Sequence, residues 1–217
     1  MLRSKLPFFL AYARAIQQPI FIDYIESTGE QSIDTGITIK TNNYRKEITL
    51  SNVSAGVGSL LPYAVMGSQN GSNRNPYLVL NAAGKLAVGY AGQAGGTSTL
   101  VFDNPTSKKT FILERKPDGF TFTNGDTTYT SSYTGDQDIS NLTEWIFQLN
   151  IPETGIYRAK VRVYGYCLYI DGVLVQDLRP CLHPQTFEAC MYDTVTKQYF
   201  YNQGTGSFIP APIFVEY

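Results

Sequence analysis

The sequence predicts an all-β sandwich or barrel with a short helix at its N-terminus. Three observations predict it. Short apolar runs with period-two alternation recur from Ile20 onward, turn signals separate them at close intervals, and the composition favours strands over helices. Only 16% of the 217 residues are charged, while Gly and Tyr number 19 and 16, a balance suited to pleated surfaces and tight turns. The 43% hydrophobic content excludes disorder. At this length a single domain buries roughly 70% of its unfolded surface, so neither a disulfide nor a metal is needed for stability.

The first 18 residues stand apart from the rest. MLRSKLPFFLAYARA opens with basic residues, continues with an apolar stretch from Leu6 to Tyr12 and carries small residues at Ala11, Ala13 and Ala15. That layout imitates a secretory signal, although Pro7 and Arg14 interrupt it. As a helix from Pro7 to Gln17 it starts well, because proline is tolerated at the first helical position, and it stops before Pro19. Eleven residues rise only about 16 Å, whereas a membrane span takes about 20 residues. Phe8, Phe9, Leu10, Tyr12 and Ile16 spread apolar surface around most of the circumference and need cover. The cover is either the chain's own sandwich or a neighbouring subunit or larger assembly.

Strands follow. Ile20 to Ile25 is apolar and β-branched, and Ser32 to Lys40 alternates Ile33, Ile37 and Ile39 with polar positions around Gly36. Further strands are expected at Tyr44 to Leu50, Tyr63 to Met66, Tyr77 to Leu80, Lys85 to Tyr90, Thr110 to Arg115, Gly119 to Thr123 and Thr127 to Tyr133. The remainder are Glu144 to Asn150, Lys160 to Ile170, Val173 to Leu178, Glu188 to Asp193 and Gln198 to Tyr201. Asn-Gly or Asp-Gly pairs at Asn70, Asp118, Asn124 and Asp171 supply turns, and Asp171-Gly172 closes the clearest two-residue hairpin. The tail IPAPIFVEY is stiffened by Pro210 and Pro212, and Ile213 to Tyr217 offers a short strand for its own sheet or a neighbour's. The expected organisation is a helical anchor over 1–18, a sandwich over 19–209 and an extended tail over 210–217.

Charge and reactive groups narrow the function. A formal net charge of -1 leaves no electrostatic footprint for nucleic acid. Three cysteines make a poor disulfide framework: Cys181 and Cys190 pair only if the loop between them folds back, and Cys167 sits in an apolar strand and reads as core. Cys181, His183 and Cys190 lack a fourth ligand for zinc, and Asp103, Asp136 and Asp138 lack the oxygen-rich loop of a strong calcium site, so no metal and no cofactor are expected. Glu26, Glu30 and Glu144 do not form the carboxylate pair of a retaining glycosidase and read as solvated or turn-capping. His183, alone in a loop, has no nucleophile elbow to serve. A non-enzymatic protein is expected.

Sugars are held by aromatic faces together with amide, carboxylate and guanidinium groups. The loop Gly67 to Tyr77, GSQNGSNRNPY, offers Asn73, Arg74, Asn75 and Tyr77 and is the sequence's candidate glycan site. The same residue types also serve any long turn. Trp145, beside Ile146 and Phe147, reads as core rather than platform.

Two bookends, YIESTGEQSIDTGI at Tyr24 to Ile37 and DLRPCLHPQTFEACMYDTVTKQYFYNQGTGSF at Asp177 to Phe208, carry a resemblance. With the central YLVLNAAGKLAVGY and the segment EWIFQLN through YRAKVRVYGYCLYIDGVLVQDLRPC, they resemble the concanavalin A-like, laminin-G-like modules found in phage virion and tail proteins and in surface proteins of gut bacteria. The resemblance covers Asp23 to Phe208. It implies a two-sheet antiparallel jelly roll whose first strand and C-terminal segment meet at one edge.

It also implies a virion surface protein of a gut phage: a capsid decoration, head-fibre subunit or small tail adhesin, docked through Phe8, Phe9, Leu10, Tyr12 and Ile16 onto a capsid, portal, tail or sister subunit. Surface glycans are the further partner, and a homo-oligomer is expected. The alternative is an exported bacterial carbohydrate-binding or adhesin module, for which the first 18 residues are the export signal.

Overall fold

Period-two alternation decides which faces meet. In the stretch Tyr44–Asn52, the side chains of Tyr44, Lys46, Ile48 and Leu50 are buried while Arg45, Glu47 and Thr49 are half-exposed. In Val161–Ile170 the buried set is Val161, Val163, Tyr166 and Leu168, and the phase slips at Gly165, where the pairing register also shifts. The computed structural model describes residues 18–52, 63–70, 73–74, 77–80, 85–90, 98–103, 105–131, 139–152 and 158–213. Among them every regular element is a strand. The expected helix, with Phe8, Phe9, Leu10, Tyr12 and Ile16, lies outside the described residues.

In chain order the strands are β1 (Ile20–Phe21), β2 (Ile25–Glu26), β3 (Ile33–Thr38), β4 (Tyr44–Asn52), β5 (Tyr63–Gly67), β6 (Gln69–Asn70) and β7 (Asn73–Arg74). There follow β8 (Tyr77–Leu80), β9 (Leu86–Tyr90), β10 (Ser98–Phe102), β11 (Lys109–Lys116), β12 (Gly119–Asn124), β13 (Thr127–Ser131) and β14 (Thr143–Ile146). The last five are β15 (Val161–Ile170), β16 (Val173–Leu182), β17 (Ala189–Asp193), β18 (Gln198–Phe200) and β19 (Ile209–Pro210). The larger sheet runs β13-β12-β11-β4-β15-β16-β17-β18, with β1 on β16, β2 on β15 and β19 on β2; the smaller runs β10-β9-β8-β5-β14-β3. All named pairs are antiparallel, and the two sheets enclose one main core. Ile33, Met66, Leu78, Val88 and Ile146 enter it from the smaller sheet, and Ile48, Phe111, Phe122, Leu168 and Met191 from the larger. Each fully buried side chain of this size contributes about 1.5–3 kcal/mol of transfer free energy.

One buried ion pair spans the two sheets. Lys46 Nζ on β4 lies 2.7 Å from Glu144 Oε2 on β14, and both side chains are essentially inaccessible. Ser68 Oγ donates to the other carboxylate oxygen at 2.7 Å. Burial lowers the Lys46 pKa, and Glu144 opposes that shift by attraction and by its hydrogen bond. Glu144 is therefore neither solvated nor a turn cap, because its place in the alternation of β14 points it inward beside Ile146.

The hairpin β15-β16 is closed by Asp171 and Gly172, both at positive φ, as the sequence predicts. Its two strands pair only from Tyr166 and Leu178 to the tip. Beyond that point they part, and the gap is filled by two segments far apart in sequence, 20–26 and 209–211. The stretch 20–26 runs in along β16, where Phe21 faces Cys181, reverses at 22–24, and leaves along β15, where Ile25 faces Val163. Expected as one strand, it forms two because of that reversal. Ile209–Pro210 then pairs with β2, and Ala211 N–H donates to Tyr24 O. Residues 209–211 thus complete the parent sheet, while residues 214–217 lie outside the described residues.

The two sequence bookends are stitched together. Gln203 N–H donates to Ser32 O and Thr205 N–H to Glu30 O, while Asn202 Oδ1 accepts from Ser32 N–H. Gln31, buried, donates to Thr205 O and accepts from Thr28 N–H. Gly204 crosses so close that a Cβ there would sit 2.0 Å from Glu30 O. In the second bookend, buried Asp193 accepts from Val195 N–H and Thr196 Oγ1, which fixes the Thr-Val-Thr-Lys turn of hairpin β17-β18.

Three features were not expected from the sequence. The run Glu144 to Asn150 breaks after Ile146 because Phe147 adopts φ 68°, held by a backbone bond to Val65 O and by ring contact with Phe208. The small hairpin β6-β7 has no apolar run to announce it, whereas β10 carries one, Leu100-Val101-Phe102, that the expected strands omit.

Lys46→Met and Glu144→Leu should each cost about 3–5 kcal/mol, since each leaves a buried charge without its partner. The double variant should recover most of that loss, which urea unfolding of all four proteins checks. Gly204→Ala should cost at least about 2 kcal/mol, because the obstacle is backbone and not a movable side chain.

Candidate functional site

The mouth of the fork is a groove on the outward face of the larger sheet. Where β15 and β16 part, the reversing segment 22–24 does not fill the sheet as a regular strand would. An inner hollow of about 230 Å³ is lined by Glu47, Thr49, Lys108, Tyr164, Cys167 and Arg179. An outer one of about 340 Å³ is lined by Phe21, Asp23, Lys108, Tyr164, Arg179 and Pro180. Lys108, Tyr164 and Arg179 border both, so the two form one groove, of a size at the lower end of small-ligand sites.

Each wall has a local cause. Tyr164 points outward because Val163 before it points in, and its hydroxyl is 3.1 Å from Ser51 Oγ. Its ring meets Tyr24 edge-on at 5.5 Å, and the Arg162 guanidinium, bonded to Glu26, lies 4.7 Å from the Tyr24 ring centre. Lys108 Nζ stands 4.5 Å from the Tyr164 ring centre and 2.8 Å from Asp23 Oδ1. Across the groove Arg179 Nε is 2.7 Å from Asp177 Oδ1. Phe21, 54% exposed, packs edge-on against Tyr192, which packs in turn against Tyr199.

The result is a strip of aromatic faces beside paired, solvent-reached charges. The side chains of Lys108 and Asp23 are 54% and 62% exposed, and pairs this open contribute at most about 1 kcal/mol. They can exchange partners with an incoming polar group at small cost.

Cys167 is half-buried on this outward face, contrary to the expectation that it belongs to the core. Its neighbour Leu168 takes the inward place, and its thiol donates to Asp177 Oδ1 at 3.4 Å. Burial, followed by the repulsion of Asp177, pushes its pKa up to about 12, so the thiol stays protonated at neutral pH. His183 is a turn organiser: its Nδ1 faces the N–H groups of Gln185 and Thr186, and its ring packs on Tyr199.

The candidate loop of the sequence springs from the other sheet, between Gly67 at the end of β5 and Tyr77 at the start of β8, and its strands β6 and β7 pair with each other. Tyr77 opens β8 and lays its ring over Gly89, where a Cβ would come within 2.1 Å of Tyr77 Cζ. Asn73 and Arg74 form β7, opposite Asn70 and Gln69; their side chains, and Asn75, lie outside the described residues. The smaller sheet carries an outward row of Asp34, Trp145 and Gly67, with Tyr77 and Gly89 beyond.

Trp145 is thus half-buried on the outer face, not core. Alternation with Glu144 and Ile146 turns it outward, and its Nε1 donates to Thr143 Oγ1 at 3.1 Å. That alternation was readable in the sequence, whereas the fork groove was not: Phe21, Lys108, Tyr164 and Arg179 converge only through pairing between distant segments. Asp103 is exposed and pairs with Lys85, and Asp136 and Asp138 lie outside the described residues. Among the described residues no three His, Cys, Asp or Glu side chains come together as a metal-holding group.

No protein-family model matches the chain, and no curated protein matches it by sequence. Solved structures match its fold. A candidate carbohydrate-binding protein from Bacteroides ovatus is 13% identical with a TM-score of 0.57, over 91% of this chain and 63% of that one. Domains LG4-5 of the mouse laminin α1 chain are 9% identical with a TM-score of 0.52, over 80% of this chain and 48% of theirs. The CBM40 of Ruminococcus gnavus IT-sialidase, bound to α2,3 sialyllactose, is 13% identical with a TM-score of 0.50, over 70% of this chain and 89% of its own. The fold is that of the concanavalin A-like, laminin-G-like jelly rolls, as the bookend motifs led us to expect.

Cys167 and Tyr199 both have pKa values raised to about 12 by burial first. An acid with a raised folded-state pKa stabilises fully below its unfolded pKa and loses that contribution as pH climbs toward the folded value. Thermal midpoints should therefore hold steady to about pH 8 and fall between about pH 9 and 12. Cys167→Ser should lessen the part of that fall below about pH 10, where tyrosine does not yet titrate, without abolishing it, because the Cys181 thiol is also held protonated in the folded chain by its hydrogen bond with Cys190 and by burial.

Proposed function

We propose that this protein is a non-enzymatic glycan-binding module and that the fork groove is its sugar site. The observation that carries this reading is the meeting, in one groove, of the Tyr164 and Phe21 rings with Lys108, Asp23 and Arg179. Sugar rings present C–H faces that pack on aromatic surfaces, and their hydroxyls both donate to carboxylates and accept from cations. Asp23, Glu47 and Asp177 are each paired with a cation, which suits them to accept hydrogen bonds rather than to act as acid and base. The known use of the fold supports the same reading, since a CBM40 of this architecture carries sialyllactose.

The finer part of the proposal is where such a module works. On the sequence resemblance we assign it to a phage particle, as a surface component docked through its leading segment; a bacterial surface or secreted module is the alternative. Removing residues 1–18 should leave glycan binding intact and abolish incorporation into the particle, as assayed by composition of purified particles. A mature N-terminus starting near Ile16, read by mass spectrometry, would favour export instead.

On a glycan array, the full chain should bind a defined set of oligosaccharides. Tyr164→Ala and Arg179→Ala should each weaken binding about tenfold or more, a loss of roughly 1.4 kcal/mol. Trp145→Ala, on the opposite sheet, should leave it unchanged. The reverse pattern would move the site to the Gly67 to Tyr77 loop.

A further inference from the structure

Two thiols face each other beneath the aromatic strip. Cys181 on β16 and Cys190 on β17 are directly opposed in the strand register, with Sγ atoms 3.5 Å apart and both side chains fully buried. The sequence allowed this pairing only if the intervening loop folded back, and the loop does so. His183 N–H donates to Glu188 O, and Phe187, at φ 59°, donates to His183 O, which closes a tight hairpin. The bond from His183 to Glu188 marks the hydrogen-bonded positions of this ladder, and Cys181 with Cys190 is the next such position along it. Opposed residues there have Cα atoms about 5.5 Å apart, inside the range of about 4.4–6.8 Å that a disulfide spans.

Both thiols project to the same side. Leu178, Leu182, Ala189 and Met191 of the two strands enter the core, which sends Cys181 and Cys190 to the outward face, under the rings of His183, Tyr199 and Tyr201. Tyr199 and the flanking residues belong to β18, a three-residue strand at the sheet edge.

We infer that Cys181 and Cys190 are a site of covalent modification, oxidised to a cross-strand disulfide by a low-molecular-weight disulfide. One thiolate attacks the small disulfide and releases one of its halves as a thiol; the second thiolate attacks the resulting mixed disulfide and releases the other half. One Sγ–Sγ bond forms, the small S–S bond breaks, the two protein protons end on the two released thiols, and the protein loses two electrons. The hydrogen bond with Cys190, followed by burial, keeps the Cys181 thiol protonated in the closed structure. Exchange therefore proceeds while β18 with Tyr199, and Tyr201 just after it, are undocked, during folding or local opening. Cys167, on β15 and held by Asp177, takes no part.

The test is refolding of the full chain from denaturant, in a mixture of a small thiol and its disulfide or in excess reductant. Alkylation in denaturant and peptide mass spectrometry follow. After oxidative refolding, one cysteine, Cys167, should be alkylated, and a Cys181–Cys190 cross-linked peptide should appear lighter by two hydrogen atoms. After refolding in reductant all three should be alkylated. The Cys167→Ser chain should give the same cross-link, and Cys190→Ala should leave the two remaining cysteines alkylatable. Folding is judged by the circular dichroism of the reduced wild-type chain. Three alkylated cysteines in the natively folded, oxidatively treated chain, or a cross-link that includes Cys167, would overturn the inference.

Discussion

An antiparallel hairpin whose strands separate half-way along must satisfy two rows of backbone donors and acceptors, and that demand organises this molecule. A buried backbone group without a partner costs about as much as a lost hydrogen bond. Strands β15 and β16 are ten residues each but pair over only part of that length. The open part is closed by β1 on one side and β2 on the other, with β19 beyond β2. The segment leading into the first bookend, that bookend's opening residues and the segment after the second are thus spent on one task. The tight crossing of Gly204 over Glu30 and the network around Gln31 follow from bringing those segments together.

The same solution generates the groove. A chain that must enter a narrow fork, reverse and leave cannot pair regularly at the reversal, and residues 22–24 sit at that point. What remains open there is bounded by outward side chains of both diverging strands, Tyr164 and Arg179, and by Lys108 from just before β11. Stability and surface chemistry are separated by the pleat: the inward positions of these strands make the core, and the outward positions make the aromatic strip. The cysteines obey the same division, since all three lie at outward positions although two of them are fully buried by the tyrosines above.

The Lys46–Glu144 pair has a different role. Placed between the sheets, it adds little net stability over an apolar pair of equal volume, because desolvation offsets most of the attraction. Its geometry does fix how the sheets face each other. Nζ and both carboxylate oxygens are engaged, and a slip of β14 by one residue would turn Glu144 outward and bring Trp145 into the core.

What the sequence by itself determined was local. Period-two alternation located most of the strands, Asp171-Gly172 marked its hairpin because Asp-Gly readily takes the two positive φ values of a type I′ turn, and the bookends indicated the jelly roll. Alternation also contained the outward placing of Trp145 and the inward placing of Glu144, although the apolar neighbourhood of the first and the charge of the second suggested the opposite. Only the tertiary structure decided what the strands were adjacent to. Phe21 meets Cys181, Lys108 meets Asp23, and Cys181 meets Cys190 through the register of paired strands, and register depends on the buried face and hairpin geometry of the whole sheet. No spacing along the chain encodes a contact between residues 23 and 108. The groove could therefore be read only after the fork had been closed.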